Sequence, residues 1–157
     1  MTSMSQEPYF GKCFEEGNVY DNIPRLEALI GSPIGIAVGT ENVYVTLYDS
    51  QEVVSVSRSS GICQIRVNVR TIPSHLALDS TSNTLYIGLI FGIAVKDLNN
   101  DDSSPETVYS GQGSTIGTLG ETEFVDVRDI LILDPDTVIV CDMSNNRFVD
   151  QLSTYTS

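Results

Sequence analysis

One histidine, His75, occurs in 157 residues, which removes most triad and multi-histidine metal schemes. The run Asp97-Leu98-Asn99-Asn100-Asp101-Asp102 begins like a calcium loop, because side-chain oxygens at its first, third and fifth positions suit a hard cation. Such a loop wants glycine at the sixth position and a bidentate Glu at the twelfth, where this chain has Asp102 and Val108. An acidic, solvated turn at a strand end explains the run. Asp97, Asn99 and Asp101 are therefore only weak metal candidates, calcium is the one conceivable cofactor, and none is expected. Cys13, Cys63 and Cys141 cannot all pair within one chain, and their separations make no CxxC signature. They read as reduced, mostly buried thiols, since a nucleophilic cysteine needs a nearby base or a cationic setting. The chain contains no Gly-x-Ser-x-Gly, and no Gly-x-x-x-x-Gly-Lys phosphate loop. No catalytic set is expected from these residues. Arg66 and Arg70, with Arg58, are candidates for a local basic patch, although scattered solubilising arginines account for them better.

Charge narrows the partners further. Twenty-one Asp and Glu against eight Lys and Arg give −13, and Lys12 and Lys96 are the only lysines. Nucleic-acid affinity rests on cationic contacts that release counterions, so neither nucleic acid nor an anionic membrane is an expected partner. A basic protein partner would be steered toward so acidic a surface. Composition is that of a globular chain, 41% apolar and 18% charged, and the length suits a single domain. The longest uncharged apolar stretch, residues 85–95, is shorter than the roughly 18 residues that span a bilayer. A polar start, no apolar export segment and an odd cysteine count point toward a cytoplasmic setting.

The elements that would position these residues are strands. Short apolar or alternating runs, which place successive side chains on opposite faces, occur at 35–38, 43–47, 53–57 and 62–67. A second set lies at 75–78, 84–88, 92–98 and 107–110, and a third at 129–133, 137–142 and 147–152. Asp49-Ser50, Asp134-Pro135-Asp136 and Ser144-Asn145-Asn146 supply turn chemistry between runs, and Asn145-Asn146 fits a tight hairpin turn. The sets repeat. Pro33-Ile34-Gly35-Ile36-Ala37-Val38 followed by Val43-Tyr44-Val45 matches Pro73-Ser74-His75-Leu76-Ala77-Leu78 followed by Leu85-Tyr86-Ile87, with the prolines 40 residues apart. The third copy, Asp129-Ile130-Leu131-Ile132-Leu133 followed by Val138-Ile139-Val140, lacks the proline and follows a glycine-containing insertion at 111–127. A four-stranded unit every 40 or so residues is the spacing of β-propeller blades.

These repeats resemble the blades of NHL-type and YWTD-type propellers, and Asn145-Asn146-Arg147 is similar to a hairpin common in NHL blades. The resemblance covers roughly residues 30–152; Trp is absent, and His75 replaces Gly35 in the second unit. It implies an all-β fold of antiparallel four-stranded blades, about three of them, with a β-sandwich as the alternative. Blades are expected at about 33–72, 73–112 and 128–152, with residues 25–30 as the missing outer strand, after an N-terminal extension over 1–24. Residues 25–30 fit a helical stripe nearly as well, since Asn22, Pro24 and Gly31 sit where caps and stops would be.

Propellers usually need at least four blades to close, and three would leave two apolar faces exposed. The chain is therefore expected to complete a ring with another copy or a protein partner, or to be part of a longer propeller. His75 would lie on an innermost strand facing the channel, making it, with Arg66 and Arg70, a binding candidate. The leading function is a non-catalytic binding or scaffolding module. The resemblance also admits a calcium-dependent lactonase or esterase of the six-bladed type, for which Asp49, Asp79, Asp129, Asp134, Asp136 and Asp142 sit near strand ends. The turn role of aspartate already explains each of those positions.

Overall fold

The computed structural model describes residues 9–11, 22–100, 106–110, 123–134 and 137–152, with the side chains of 65–66, 106–110 and 151–152 outside the description. Val- and Ile-rich alternation, punctuated by residues that accept left-handed backbone, produces twelve strands in this set. They are β1 (Ile23–Pro24), β2 (Pro33–Val38), β3 (Asn42–Leu47), β4 (Glu52–Ser57), β5 (Ile62–Asn68), β6 (Pro73–Asp79), β7 (Thr84–Leu89), β8 (Gly92–Asp97), β9 (Glu106–Ser110), β10 (Val127–Asp134), β11 (Thr137–Asp142) and β12 (Arg147–Leu152). The fold is all-β and every pairing is antiparallel.

Each expected set of runs makes its own sheet. The first has the order β1-β5-β4-β3-β2, the second β6-β7-β8-β9 and the third β10-β11-β12. Repetition extends to register: Pro33 opposes Leu47 as Pro73 opposes Leu89, and Ile36 opposes Val45 as Leu76 opposes Ile87 and Ile130 opposes Val140. The turns follow local chemistry. Gln51 and Asn83 adopt left-handed conformations, and the Asp79 carboxylate accepts the Thr81 N–H at 2.8 Å and the Ser82 hydroxyl at 2.6 Å. The connection from β11 to β12 is one 3₁₀ turn, Met143–Asn145, followed by a left-handed Asn146.

The sheets stack in sequence. Ala37, Tyr44, Val53 and Val67 of the first bury against Leu76, Leu85, Ile87 and Ala94 of the second. Tyr86, Ile93 and Val95 on the second sheet's other face bury against Ile130, Val138, Val140 and Val149 of the third, with Phe124 fully enclosed beside them. Direct packing of β2 on β6 and of β6 on β10 brings these first strands together.

Two expectations are corrected. Residues 25–30 form neither a strand nor a helix: Glu27 N–H bonds the Pro24 carbonyl at 2.9 Å, which turns the chain as soon as β1 ends. The added strand is β1, two residues long, and it extends the first sheet beside β5 rather than completing the third. After the turn, Ala28 and Ile30 drop onto the first sheet's outer face, joined by Phe10 and Ile23. Most of the 111–127 insertion lies outside the described residues.

Candidate functional site: the bulges of the first strands

β2, β6 and β10 each break register near their start, where two residues oppose one on the neighbouring strand. A bulge bends its strand and re-aims side chains, and here all three fall at the same repeat position. Gly35, His75 and Asp129 occupy that position in the three sheets.

Packing at the bulges is close enough to dictate residue type. A Cβ on Gly35 would stand 2.8 Å from both the Ser74 carbonyl oxygen and Thr46 Oγ1, so any side chain there collides with backbone. Thr46, fully buried, accepts the Gly35 N–H at 2.7 Å, and its proton has the carbonyls of Gly35 and Ser74 each at 3.4 Å. Ser74 continues the chain of contacts by donating its hydroxyl to the Val127 carbonyl. A Cβ on Gly88 would meet Ser74 Oγ at 2.9 Å. These hydrogen bonds link the first sheet to the second and the second to the third through buried polar groups that satisfy one another.

His75 Nε2 lies 2.7 Å from Asp129 Oδ1, and that oxygen also accepts the Ile130 N–H at 2.8 Å. The imidazole is 33% exposed and the carboxylate 64%. A carboxylate on one ring nitrogen fixes the imidazole's orientation, and a charged pair forms when the ring is protonated. The neighbouring Ser74 hydroxyl is committed to Val127, so the pair acts as a link between β6 and β10 rather than as a base for that serine.

Other sequence candidates fall elsewhere. Asp97 accepts the Asn99 N–H at 2.8 Å, Asn99 Oδ1 accepts from the Asn83 amide at 2.9 Å, and the Asn99 amide donates to the Ser82 carbonyl at 3.3 Å. These oxygens tie two hairpin ends together; Asp101 lies outside the described residues. Among the described residues no cluster of three or more His, Cys, Asp or Glu could hold a metal ion. Arg66 is on β5 with its side chain outside the description, while Arg70 is an exposed left-handed turn residue whose N–H bonds Asn68 Oδ1 at 3.2 Å. The structure does not bring His75 together with Arg70.

Sequence reasoning named Asp142 and Asp129 only as strand-end aspartates and missed two features they build. One is the fully buried Asp142, which accepts Val125 N–H at 2.9 Å and both Asn145 Nδ2 and Arg147 Nε at 2.8 Å. Asn145 and Arg147 of the hairpin motif thus serve one carboxylate. The other is the His75–Asp129 pair, whose signal was the repeat itself once the bulges are aligned.

Two clefts open at hairpin ends: one of about 440 Å³ between Glu41, Tyr44, Leu78 and Asn83, and one of about 350 Å³ beside Arg25, Glu27, Arg58 and Ser60. Arg58 donates to the Gly39 and Thr40 carbonyls at 3.2 and 3.0 Å, and Arg25 stacks over Tyr9 at 4.5 Å. Cys63 is enclosed beneath the N-terminal segment, and burial pushes its thiol up to about 11 against a partial opposing pull from Arg25. Burial would also raise Asp79, but hydrogen bonds from Ser82 and Thr81 outweigh it and hold the carboxyl below its ordinary value.

No family model matches this chain, and no curated protein does. Its fold is similar to a crystal structure of a structural-genomics protein of unknown function from Bacteroides thetaiotaomicron VPI-5482, with a TM-score of 0.70 and 18% identity. The likeness covers 96% of this chain but only 36% of the other, so this chain spans about a third of that protein's length.

Proposed function

We propose that the three sheets are blades of an NHL- or YWTD-like β-propeller and that the chain is a non-catalytic binding or scaffolding module. Its loops and open ends would engage a protein partner or complete a ring with another chain. Three sheets stacked in one direction support blades over a two-sheet sandwich. The observation that carries the binding role is the third sheet's outer face, where Leu131 and Leu133 are each 56% exposed and Phe148 is 78% exposed. Clustered exposed apolar side chains on one sheet face mark an interaction surface. At −13 the partner is a protein, with nucleic acid and membrane disfavoured.

The second reading is a calcium-dependent lactonase or esterase. It is weakened by the engagement of Asp97 and Asn99 in hairpin hydrogen bonds. Lactone and aryl-ester hydrolysis by the purified chain, with calcium and with chelator, separates the two alongside thermal melting. The module reading expects no turnover above the protein-free rate and no calcium-dependent melting shift. Calcium-dependent turnover would overturn it in favour of the hydrolase.

A further inference from the structure

The two ends of the stack carry complementary halves of the interface that the sheets already use among themselves. On the first sheet, Ala37 opposes Tyr44 and Thr46 opposes Val53; Ala37, Tyr44 and Val53 pack on the second sheet. On the second, Ala77 opposes Tyr86 and Gly88 opposes Ile93; Ala77, Tyr86 and Ile93 pack on the third. In the same register on the third sheet, Leu131 opposes Ile139 and Cys141 opposes Phe148, and this face lies bare, with Leu131 56% and Phe148 78% exposed.

The receiving half repeats just as closely. Leu76 and Leu78 of β6 face the first sheet, and Ile130 and Ile132 of β10 face the second. Their counterparts on β2 are Ile36 and Val38, which oppose Val45 and Val43 as Leu76 and Leu78 oppose Ile87 and Leu85. Ile36 and Val38 are 61% and 63% exposed. The rest of that face, Val43, Val45, Val54 and Val56, is covered by the chain's own N-terminal segment, so what remains for an incoming sheet is β2. Because β2 packs on β6 and β6 on β10 within one chain, β10 of one molecule against β2 of another continues the same contact.

We propose that a second copy of this chain is the occupant: the outer face of β10–β12 of each copy docks on β2 of the other, head to tail. Each of the two junctions joins unlike surfaces, and a rotation that closes after two copies gives a six-sheet ring instead of an open filament. This rests on the blade reading above. Two bodies of charge −13 repel each other, so the association gains from added salt, which screens repulsion and strengthens apolar burial.

Sedimentation equilibrium of the full chain across a dilution series tests it. The expected result is a species of about twice 17.1 kDa, favoured by salt. Leu131→Glu and Ile36→Glu, both at exposed positions where far-ultraviolet dichroism can verify folding, should each weaken association ~100-fold, the scale of a charge placed in a buried apolar contact. An equimolar mixture of the two folded variants should associate more tightly than either alone, because it restores one intact junction of the two. A monomer of 17.1 kDa at every concentration would overturn the second copy, yet with no hydrolysis it leaves the module reading standing. Association that survives Ile36→Glu would overturn the head-to-tail arrangement, since a pair formed through two third sheets does not touch β2. Mass that climbs without limit would overturn closure after two copies.

Discussion

The outer faces of the first and third sheets close the two ends of the stack and have opposite fates. On the first, Phe10, Ile23, Ala28 and Ile30 fold back over Val43, Val45, Leu47, Val54, Val56 and Cys63, and all six strand residues are buried. On the third, Leu131, Leu133 and Phe148 stand in solvent. Strand composition does not explain the contrast, since both faces are apolar. The difference is whether a further piece of chain lies on top. A β-sheet hydrophobic on both faces needs two covers, and the middle sheet obtains both from its neighbours.

The sharpest way to break that comparison is to truncate one large side chain at each end. Leu47, with no exposed surface beneath the N-terminal segment, should lose about 2–5 kcal/mol on Leu47→Ala, from lost transfer free energy and the cavity left behind. Phe148→Ala should change stability by no more than about 0.5 kcal/mol in the dissociated chain, because its ring already meets water. Urea unfolding at low protein concentration reads both. Equal losses at the two sites would mean that the third sheet is covered as fully as the first.

The two described cysteines sharpen the same contrast by a smaller effect. Cys63 lies under the cover and is fully buried, whereas Cys141 is half-buried on β11. With Cys13 replaced by serine, a thiol reagent should modify Cys141 well before Cys63, and Cys63 only as fast as the cover opens. Alkaline pH adds a second readout. The folded-state Cys63 thiol is raised from 9.0 to about 11, so its contribution is complete below pH ~9 and is lost as pH rises through that interval. Replacing Cys63 with alanine should flatten that part of the stability profile. An unchanged profile would show that the cover is loose enough to hydrate the thiolate.

Much of this architecture was legible in the sequence because turns and alternation are local. The eleven predicted runs match β2 to β12 within a few residues, and the paired prolines announced a register that the sheets share. What escaped was set by contacts between distant segments. Leu26, Leu29 and Ile30 fit a helical stripe, but nothing local says that an early turn at Pro24 would lay Ala28 and Ile30 over β3 and β4. Likewise, Asp129 looks like any strand-end aspartate until the bulges are superposed, because the third unit lacks both the proline and the glycine that mark the first. His75 was read as facing a channel; its partner came from a strand more than fifty residues away.

That partner gives the smallest of the three effects and bears on the junctions between the two ends. The first junction is held by backbone approach at Gly35 and by the buried Thr46 hydroxyl, while the second adds the His75–Asp129 pair. A half-exposed pair gains little, since water screens the charges and ordering the side chains costs entropy. His75→Gln should therefore lower stability by less than about 1 kcal/mol at low salt, and the difference should shrink as salt is added. Gly35→Ala is the counterpart at the first junction. There the new methyl meets backbone oxygen, which cannot rotate away, so overpacking costs about 1–3 kcal/mol and is indifferent to salt. If His75→Gln proved the costlier of the two, the pair would be holding the second and third sheets together, and the close packing of Ser74 against Val127 would be secondary.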